Sequence, residues 1–157
     1  MKIAIANDHT GFELKIILKA FIESKGYEVI DYGTDSAERA DYPIFGKKAA
    51  DAILKGEADR AVLICGTGFG ISMAANKTPG IRCVVCSEPY TALLSRQHND
   101  SNALALGSRV VGAELAKMIV DAWLSGEFEG GRHIKRLDMI AEIEKNPFNP
   151  NICNGRA

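Results

Sequence analysis

The feature that most constrains the fold is a fivefold alternation between short strand-like runs and longer amphipathic segments. The runs cover residues 1–6, 27–32, 61–64, 81–86 and 103–106, and the third is an apolar, β-branched run that suits a strand buried on both faces. A segment with helical spacing follows each run, and one more lies at 132–145. This order predicts an α/β fold with a five-stranded parallel sheet, right-handed crossovers and helices on both faces.

Local signals predict where the helices begin and end. The first helix starts at Phe12 and ends at Gly26, and the second covers about 44–54. The third ends near residue 77, and the fourth runs from about 88 to 97, so that 98–101 form a loop. The apolar face of the fifth helix is predicted to comprise Leu115, Met118, Ile119, Ala122 and Trp123.

Size, charge and composition limit the classes of function. A chain of 157 residues can bury a sizeable core, and we assign 1–146 to one domain and 147–157 to a tail that is disordered or lies across a dimer. The net charge of -1 and the lack of a basic run argue against a nucleic-acid partner. Because no stretch resembles a membrane span or a signal peptide, we expect a soluble cytoplasmic protein without a membrane partner.

The four cysteines are Cys65, Cys83, Cys86 and Cys153. Cys83 and Cys86 form a C-x-x-C pair, but both fall on a predicted strand, where residues three apart point to opposite faces. No second cysteine pair and no histidine cluster completes a zinc set. We therefore expect no metal site, and a thiol redox protein built on this pair stays an alternative.

The most distinctive stretch is a glycine-rich turn after the third strand, where Cys65 precedes Gly66, Gly68 and Gly70 in the order C-G-T-G-F-G. Such a turn at the start of a helix can aim several backbone N–H groups at one point and bind an anion beside the thiol. Its spacing matches neither the dinucleotide-binding fingerprint nor the phosphate loop of NTPases. The alternative is a tight turn with a buried core cysteine.

Ligands of parallel sheets bind beyond the carboxyl ends of the strands. The candidates at that edge are Asp8 and His9 after the first strand, residues 65–70 after the third, Ser87 after the fourth and Arg109 after the fifth. These residues form the predicted ligand site of a single chain.

His98 and Asn99 are predicted to lie at the other edge, because the helix before them starts at the carboxyl edge and runs back. If they serve the same site as Cys65, they must reach it from another subunit. The alternative is that His98 is an ordinary loop residue and that Asn99 caps a turn.

Arg132 and Arg136 are four residues apart and therefore lie on one face of the last helix. Together with Arg109 they could bind a phosphate dianion through forked hydrogen bonds. A solvated helix face is the alternative.

Seven motifs occur in order along the chain: N-D-H-T-G-F at 7–12, D-Y-P at 41–43, C-G-T-G-F-G-I-S-M-A-A-N-K at 65–77, C-S-E-P-Y at 86–90, S-R-Q-H-N-D at 95–100, L-G-S-R-V-V at 106–111 and E-G-G-R-H at 129–133. Together they resemble the RpiB/LacAB family of sugar-phosphate isomerases, over residues 1 to about 144. Seven ordered motifs are far more specific than any one of them.

The resemblance implies a Rossmann-like three-layer α/β/α sandwich with an extra C-terminal helix. It also implies a homodimer, or a dimer of dimers, whose active sites take residues from both chains. The implied reaction interconverts an aldose phosphate and a ketose phosphate, here ribose 5-phosphate and ribulose 5-phosphate, without cofactor or metal.

The resemblance further implies roles for individual residues. Cys65 is the base that moves a proton between C1 and C2, His98 helps open the furanose ring, and Asp8 and Thr67 complete the catalytic set, Thr67 as a shuttle for hydroxyl protons. The implied substrate-binding residues are Asp8, His9, Tyr42, Gly66, Thr67, Gly68, Phe69, Gly70 and Asn99, with Arg109, Arg132 and Arg136 at the phosphate.

The residue types suit this chemistry. Removal of a proton next to a carbonyl creates an enediolate, so the site needs a base and preorganised donors for the new negative charge. Cys65 and the amides of the glycine turn can supply both. Galactose 6-phosphate and allose 6-phosphate are the alternative substrates within the family. A protein that binds a phosphorylated ligand without catalysis is the alternative outside it.

Overall fold

The computed structural model describes residues 1–148, and residues 149–157, including Cys153, lie outside the described part of the chain. The predicted tail at 147–157 falls there except for its first two residues, and its separation from a domain at 1–146 stays a prediction. No helix within 1–148 is long and apolar enough to span a membrane.

The sheet contains five parallel strands, β1 (Lys2–Asn7), β2 (Glu28–Asp31), β3 (Arg60–Cys65), β4 (Cys83–Val85) and β5 (Ala103–Gly107). They lie in the order β2-β1-β3-β5-β4, which places β3 at the centre between β1 and β5. All but the first residue of β3 are buried, as its apolar sequence predicts. The strand that ends at Cys65 is therefore held by hydrogen bonds on both sides.

Helices cover both faces of the sheet. They are α1 (Phe12–Ser24), α2 (Tyr42–Leu54), α3 (Phe69–Ala75), α4 (Pro89–Asn99), α5 (Ala113–Ser125) and α6 (Arg132–Lys145). Buried residues of α1, α4 and α5 form one core cluster with the sheet, whereas those of α2 and α3 form a second cluster on the other face. The predicted three-layer α/β/α sandwich and its extra C-terminal helix are confirmed.

The C-x-x-C pair is divided between the two cores. Cys83 packs in the cluster with α2 and α3, whereas Cys86 packs in the cluster with α4 and α5. Burial raises the pKa of both thiols, which keeps them protonated. Because the two side chains lie on opposite faces of the sheet, they cannot form a disulfide in this fold, which argues against a redox pair.

One helix boundary departs from the prediction. α4 continues through Asn99, so His98 and Asn99 lie in its last turn and the predicted loop at 98–101 is wrong for these two residues. The helix ends where Asp100 adopts a left-handed conformation with φ 45°. Arg82 and Arg96 both bind the Asp100 carboxylate, at 2.9 Å and 2.8 Å, and so stabilise the end of the helix beside His98.

The predicted buried face of α5 is also wrong in part. The residues that are buried are Ala116, Ile119, Val120, Trp123 and Leu124, whereas Leu115 is 37% and Met118 60% exposed. α5 has apolar residues on more than one face, so helical spacing alone allows the buried stripe to be rotated by about one residue. Trp123 belongs to both the predicted and the observed stripe, and its indole N–H donates to Ser101 Oγ at 2.8 Å.

Candidate active site

Cys65 ends the central strand, and its sulfur is held by the backbone of the glycine turn. The Gly68 N–H donates to Cys65 Sγ at 3.2 Å, and the cysteine is only 4% exposed. The Ser108 N–H donates to the Cys65 carbonyl at 2.9 Å and the Arg109 N–H to the Gly66 carbonyl at 3.1 Å, so the segment after β5 fixes the turn. The sulfur is therefore held in place by a main-chain donor of the turn that follows it.

Two of the glycines in this turn are required by geometry. Gly68 has φ 81°, and a Cβ placed on it would lie 3.0 Å from Val85 Cγ1 and 3.1 Å from the carbonyl carbon of Leu106. A Cβ on Gly70 would lie 2.8 Å from the ring of Tyr42, which therefore packs directly on the glycine backbone. The turn has one conformation because it is enclosed by β4, β5 and the start of α2.

Asp8 and His9 lie beside the turn, at the end of the neighbouring strand β1. The Asp8 N–H donates to the Ile64 carbonyl at 3.1 Å, and the buried Asp8 carboxylate accepts from Thr10 N–H at 2.9 Å and from Thr10 Oγ1 at 2.6 Å. His9 is oriented through Nδ1, which lies 3.1 Å from the Ala40 carbonyl. The structure thus brings an acid, an imidazole and the Cys65 thiol to one edge of the sheet.

The mouth of this site is lined by exposed side chains. Arg109 and Thr10 flank Gly66, each with an atom 3.6 Å from the position of a Cβ on that glycine. Thr67 and Phe69 are exposed at the turn, and Phe69 is 62% exposed. A cavity of about 140 Å³ opens beside them, lined by Thr67, Phe69, Val85, Cys86, Ser87, Gly107 and Val110.

A second, larger groove lies between edge strand β4 and α4. It has a volume of about 460 Å³ and shares Val85 and Cys86 with the first cavity. Its lining also includes His98 and Asn99 in the last turn of α4. The two cavities are therefore neighbours on the surface around β4.

His98 and Asn99 lie at the amino edge of the sheet, away from Cys65. The Asn99 carbonyl accepts from Nε of Arg82, the residue that precedes β4, at 3.0 Å. A six-residue strand such as β3 spans roughly 17 Å, which separates this edge from Cys65 in the same chain.

Arg132 and Arg136 accompany His98 and not Arg109. Both are exposed on α6, and the ring of His133, between them in sequence, stacks on the ring of His98 with centroids 4.4 Å apart. Arg109 lies at the other edge, beside Gly66. One chain therefore does not bring the three predicted phosphate ligands together.

The fold assembles one cluster of side chains that the sequence does not predict. His98, Glu129 and His133 place one potential ligand atom each within 4.8 Å of one another. Whether they complete a zinc set, which the sequence argues against, stays a prediction. Burial, and then the charges of His98, Arg132 and Arg136, lower the pKa of His133. The E-G-G-R-H motif contains two members of this cluster, but only the folded chain shows their contact with His98.

The fold and the carboxyl-edge residues define a class of α/β protein with a backbone-held thiol at a glycine-rich turn. A thiol and backbone N–H groups within one loop are the kinds of group that proton transfer next to a carbonyl requires. The family model of the Ribose/Galactose Isomerase family matches residues 3–140. The chain belongs to this family.

Individual relatives cover almost the whole chain. The ribose-5-phosphate isomerase B of Escherichia coli is 61% identical over 144 residues, which are 92% of this chain and 97% of that protein. A structure of the ribose-5-phosphate isomerase B of Clostridium thermocellum is 57% identical, with a TM-score of 0.92 over 94% of this chain and 99% of that chain. The Mycoplasma genitalium ribose-5-phosphate isomerase B with bound ribulose-5-phosphate is 42% identical, with a TM-score of 0.88 over 92% and 97% of the two chains.

The enclosure of the turn predicts the effect of a single methyl group. Gly68→Ala should lower the free energy of unfolding by roughly 1–2 kcal/mol from the left-handed backbone alone, and by more where Val85 must move. Urea denaturation measures this change. Gly112→Ala is the matched control, because Gly112 has φ -73° and nothing within 4 Å of its Cβ position. Equal stability of the two variants would contradict the described geometry of the turn.

Proposed function

We propose that this chain interconverts ribose 5-phosphate and ribulose 5-phosphate through an enediolate, with Cys65 as the base. The observation that carries the proposal is the Cys65 sulfur at the end of the central strand, which accepts the Gly68 N–H at 3.2 Å. Family membership and the relatives described as ribose-5-phosphate isomerase B support the choice of substrate.

In the proposed reaction, His98 first donates a proton to the ring oxygen while the anomeric hydroxyl loses its proton to water, so that the bond from C1 to the ring oxygen breaks and the C1 carbonyl forms. The Cys65 thiolate then takes the proton from C2 of the open aldose, and the enediolate oxygen is held by N–H groups of the glycine turn. Cys65 returns the proton to C1, while the Thr67 hydroxyl moves protons between the two oxygens. Because main-chain donors stabilise the enediolate, the proposed reaction uses no metal and no cofactor.

The remaining contacts position the substrate. Asp8 and His9 are fixed by Thr10 and Ala40 at the carboxyl edge, where we place the sugar hydroxyls. Tyr42 packs on Gly70 and limits the depth of the site at the turn, and Phe69 covers it from outside. Asn99 contacts the sugar from the same side as His98.

The active site is proposed to be shared between two copies of the chain. Cys65 and His98 lie at opposite edges of one sheet, so a single chain cannot bring them to one sugar. A two-fold pair would place His98 of one copy against Cys65 of the other and, by symmetry, complete two sites at once. We propose that such a pair would cover the surface around β4, where the cavity beside the glycine turn and the groove lined by His98 are neighbours.

Exposed apolar side chains support this pairing. Phe69, Met73, Tyr90 and Val110 surround the glycine turn, and each is at least 59% exposed. On α6, Ile134, Ile140 and Ile143 are 41–49% exposed, whereas the buried residue of that helix is His133. Apolar patches of this kind mark interaction surfaces, so we propose a homodimer, with a dimer of dimers as the larger assembly.

The same pairing places the arginines. Arg132 and Arg136 accompany His98, so they would reach the phosphate from the second copy, whereas Arg109 would reach it from the copy that supplies Cys65. Arginine binds phosphate through two parallel hydrogen bonds, which suits this role. We also propose that the enzyme acts in the cytoplasm, where free cysteines such as Cys65, Cys83 and Cys86 stay reduced.

A six-carbon sugar phosphate is the second candidate substrate, because the description of the matching family covers both ribose and galactose isomerases. Assays of ribose 5-phosphate, allose 6-phosphate and galactose 6-phosphate under the same conditions separate the candidates. We expect the highest kcat/KM for ribose 5-phosphate. A higher value for either six-carbon substrate would replace the proposed one.

Replacement of the base tests the chemistry. Cys65→Ser should lower kcat by on the order of 10²–10⁴, because a hydroxyl is too weak a base, while the Kd of ribose 5-phosphate changes by less than about tenfold. Cys86→Ser is the matched control, because it makes the same atomic change in a buried cysteine that lines the neighbouring cavity. A Cys65→Ser enzyme with most of its turnover intact would place the base elsewhere.

Mixing two inactive variants tests the shared site. Cys65→Ser and His98→Gln should each be nearly inactive alone, but equal amounts unfolded and refolded together should recover about a quarter of the wild-type activity. Half of the dimers are then mixed, and each mixed dimer has one intact site. Each variant refolded alone is the control. If the mixture stays as inactive as its components, Cys65 and His98 do not meet across two chains.

A further inference from the structure

The cluster of His98, Glu129 and His133 has a geometry that the proposed isomerisation does not explain. The two imidazole Nε2 atoms each lie 3.9 Å from the same Glu129 carboxylate oxygen, Oε2. This separation is too long for a hydrogen bond, so neither ring is satisfied by the carboxylate. The rings are stacked with an interplanar angle of 8°, and both present a nitrogen to Glu129.

The backbone holds the three residues together. The Glu129 N–H donates to the Gln97 carbonyl at 3.0 Å, which ties this segment to the last turn of α4 next to His98. Gly130 and Gly131 then adopt φ 64° and 56°, and the chain changes direction there. His133, in the first turn of α6, therefore lies beside His98 and Glu129. The backbone of the fold therefore holds the three residues next to one another.

We propose that His98, Glu129 and His133 form a binding site for a divalent transition-metal ion of the Zn²⁺ type. Two imidazoles and one carboxylate are a ligand set that zinc uses when it keeps a fourth, open position. Borderline nitrogen ligands favour Zn²⁺, Co²⁺ or Ni²⁺ over Mg²⁺ and Ca²⁺, which prefer oxygen.

The ligand atoms need a modest adjustment to bind an ion. Ligands of a tetrahedral zinc site lie about 3.3 Å apart, whereas those of the cluster lie within 4.8 Å of one another. His133 is nearly fully buried and is the fixed ligand, while the side chains of His98 and Glu129 are 34% and 51% exposed and can turn towards it. Rotation of the His98 ring out of the stack would aim its lone pair at the ion.

Nearby charges decide which ligand matters most. The guanidinium groups of Arg132 and Arg136, which flank His133 on α6, repel a cation, and of the three cluster residues only Glu129 brings a negative charge. The carboxylate is therefore the member whose loss should weaken binding most directly.

Occupation of the cluster would have a consequence for the reaction, and this step rests on the proposed role of His98. An imidazole whose Nε2 lone pair binds an ion cannot hold the proton that opens the furanose ring. The site is therefore inhibitory: the isomerase is active without the ion and slowed by it. Mg²⁺ should have no such effect.

Calorimetric titration of the untagged chain with ZnCl₂ tests the site directly. We expect one Zn²⁺ per chain in the wild type and a loss of affinity of at least about tenfold in Glu129→Gln and in His133→Gln. His9→Gln is the matched control, because His9 is the only other histidine in the sequence and lies outside the cluster. Cys65→Ser controls for binding at the thiol, and both controls should keep the wild-type affinity.

Activity measurements complete the test. Zn²⁺ should inhibit the wild type, and Glu129→Gln should be at least about tenfold less sensitive when each rate is compared with the metal-free rate of the same variant. Zinc affinity that is unchanged in Glu129→Gln and His133→Gln, or lost in Cys65→Ser, overturns the proposal. Because Glu129 is exposed, its variant remains informative if His133→Gln does not fold. Zinc binding at the cluster of a chain without isomerase activity would instead overturn the proposed function alone.

Discussion

The hydrogen bond from the Gly68 N–H to the Cys65 sulfur is the interaction on which the site depends. It exists because β3 is the central strand, paired on both sides, and because the segment after β5 holds the carbonyls of Cys65 and Gly66. The turn can close only with a glycine in a left-handed conformation at position 68. The position of the thiol is therefore set by the sheet, and the donor that faces it is set by the turn.

The same parallel sheet explains why the proposed site residues fall into two groups. Every strand ends at the carboxyl edge, where Asp8, Cys65 and Arg109 gather, and the helices between strands carry the chain back to the amino edge. α4 and α6 therefore present His98, Arg132 and Arg136 roughly 17 Å away from the thiol. The symmetric pair that we propose would use both groups of each chain, which would also explain the apolar surface that one copy leaves exposed.

Much of this arrangement could be predicted from residues alone. The alternation of apolar runs and helices predicts the layers, and the C-G-T-G-F-G order predicts the turn, because both depend on local spacing. The end of α4 could not be predicted, because it depends on Arg82 and Arg96, which meet Asp100 only in the folded chain. The buried face of α5 and the order of the strands depend in the same way on packing across the folded chain.

The histidine cluster shows the same limit at the level of function. His98 and His133 are 35 positions apart in the sequence, and a pair of left-handed glycines brings them into a stack. Ligand spacing along the sequence finds metal sites within one hairpin or one helix, and it does not find sites assembled between two helices. If the cluster binds zinc, a residue of the proposed ring-opening step also becomes a point of control.

The central claim is that Cys65 faces the reacting carbons of a sugar phosphate and that His98 of a second copy faces its ring oxygen. A crystal structure of the Cys65→Ser variant with ribose 5-phosphate measures both relations. We predict that the hydroxyl oxygen that replaces the sulfur in this variant lies within about 3.5 Å of C1 or C2, with the imidazole of the other copy beside the ring oxygen. A sugar bound with these carbons out of reach of that hydroxyl, or with both side chains supplied by one chain, would contradict the account.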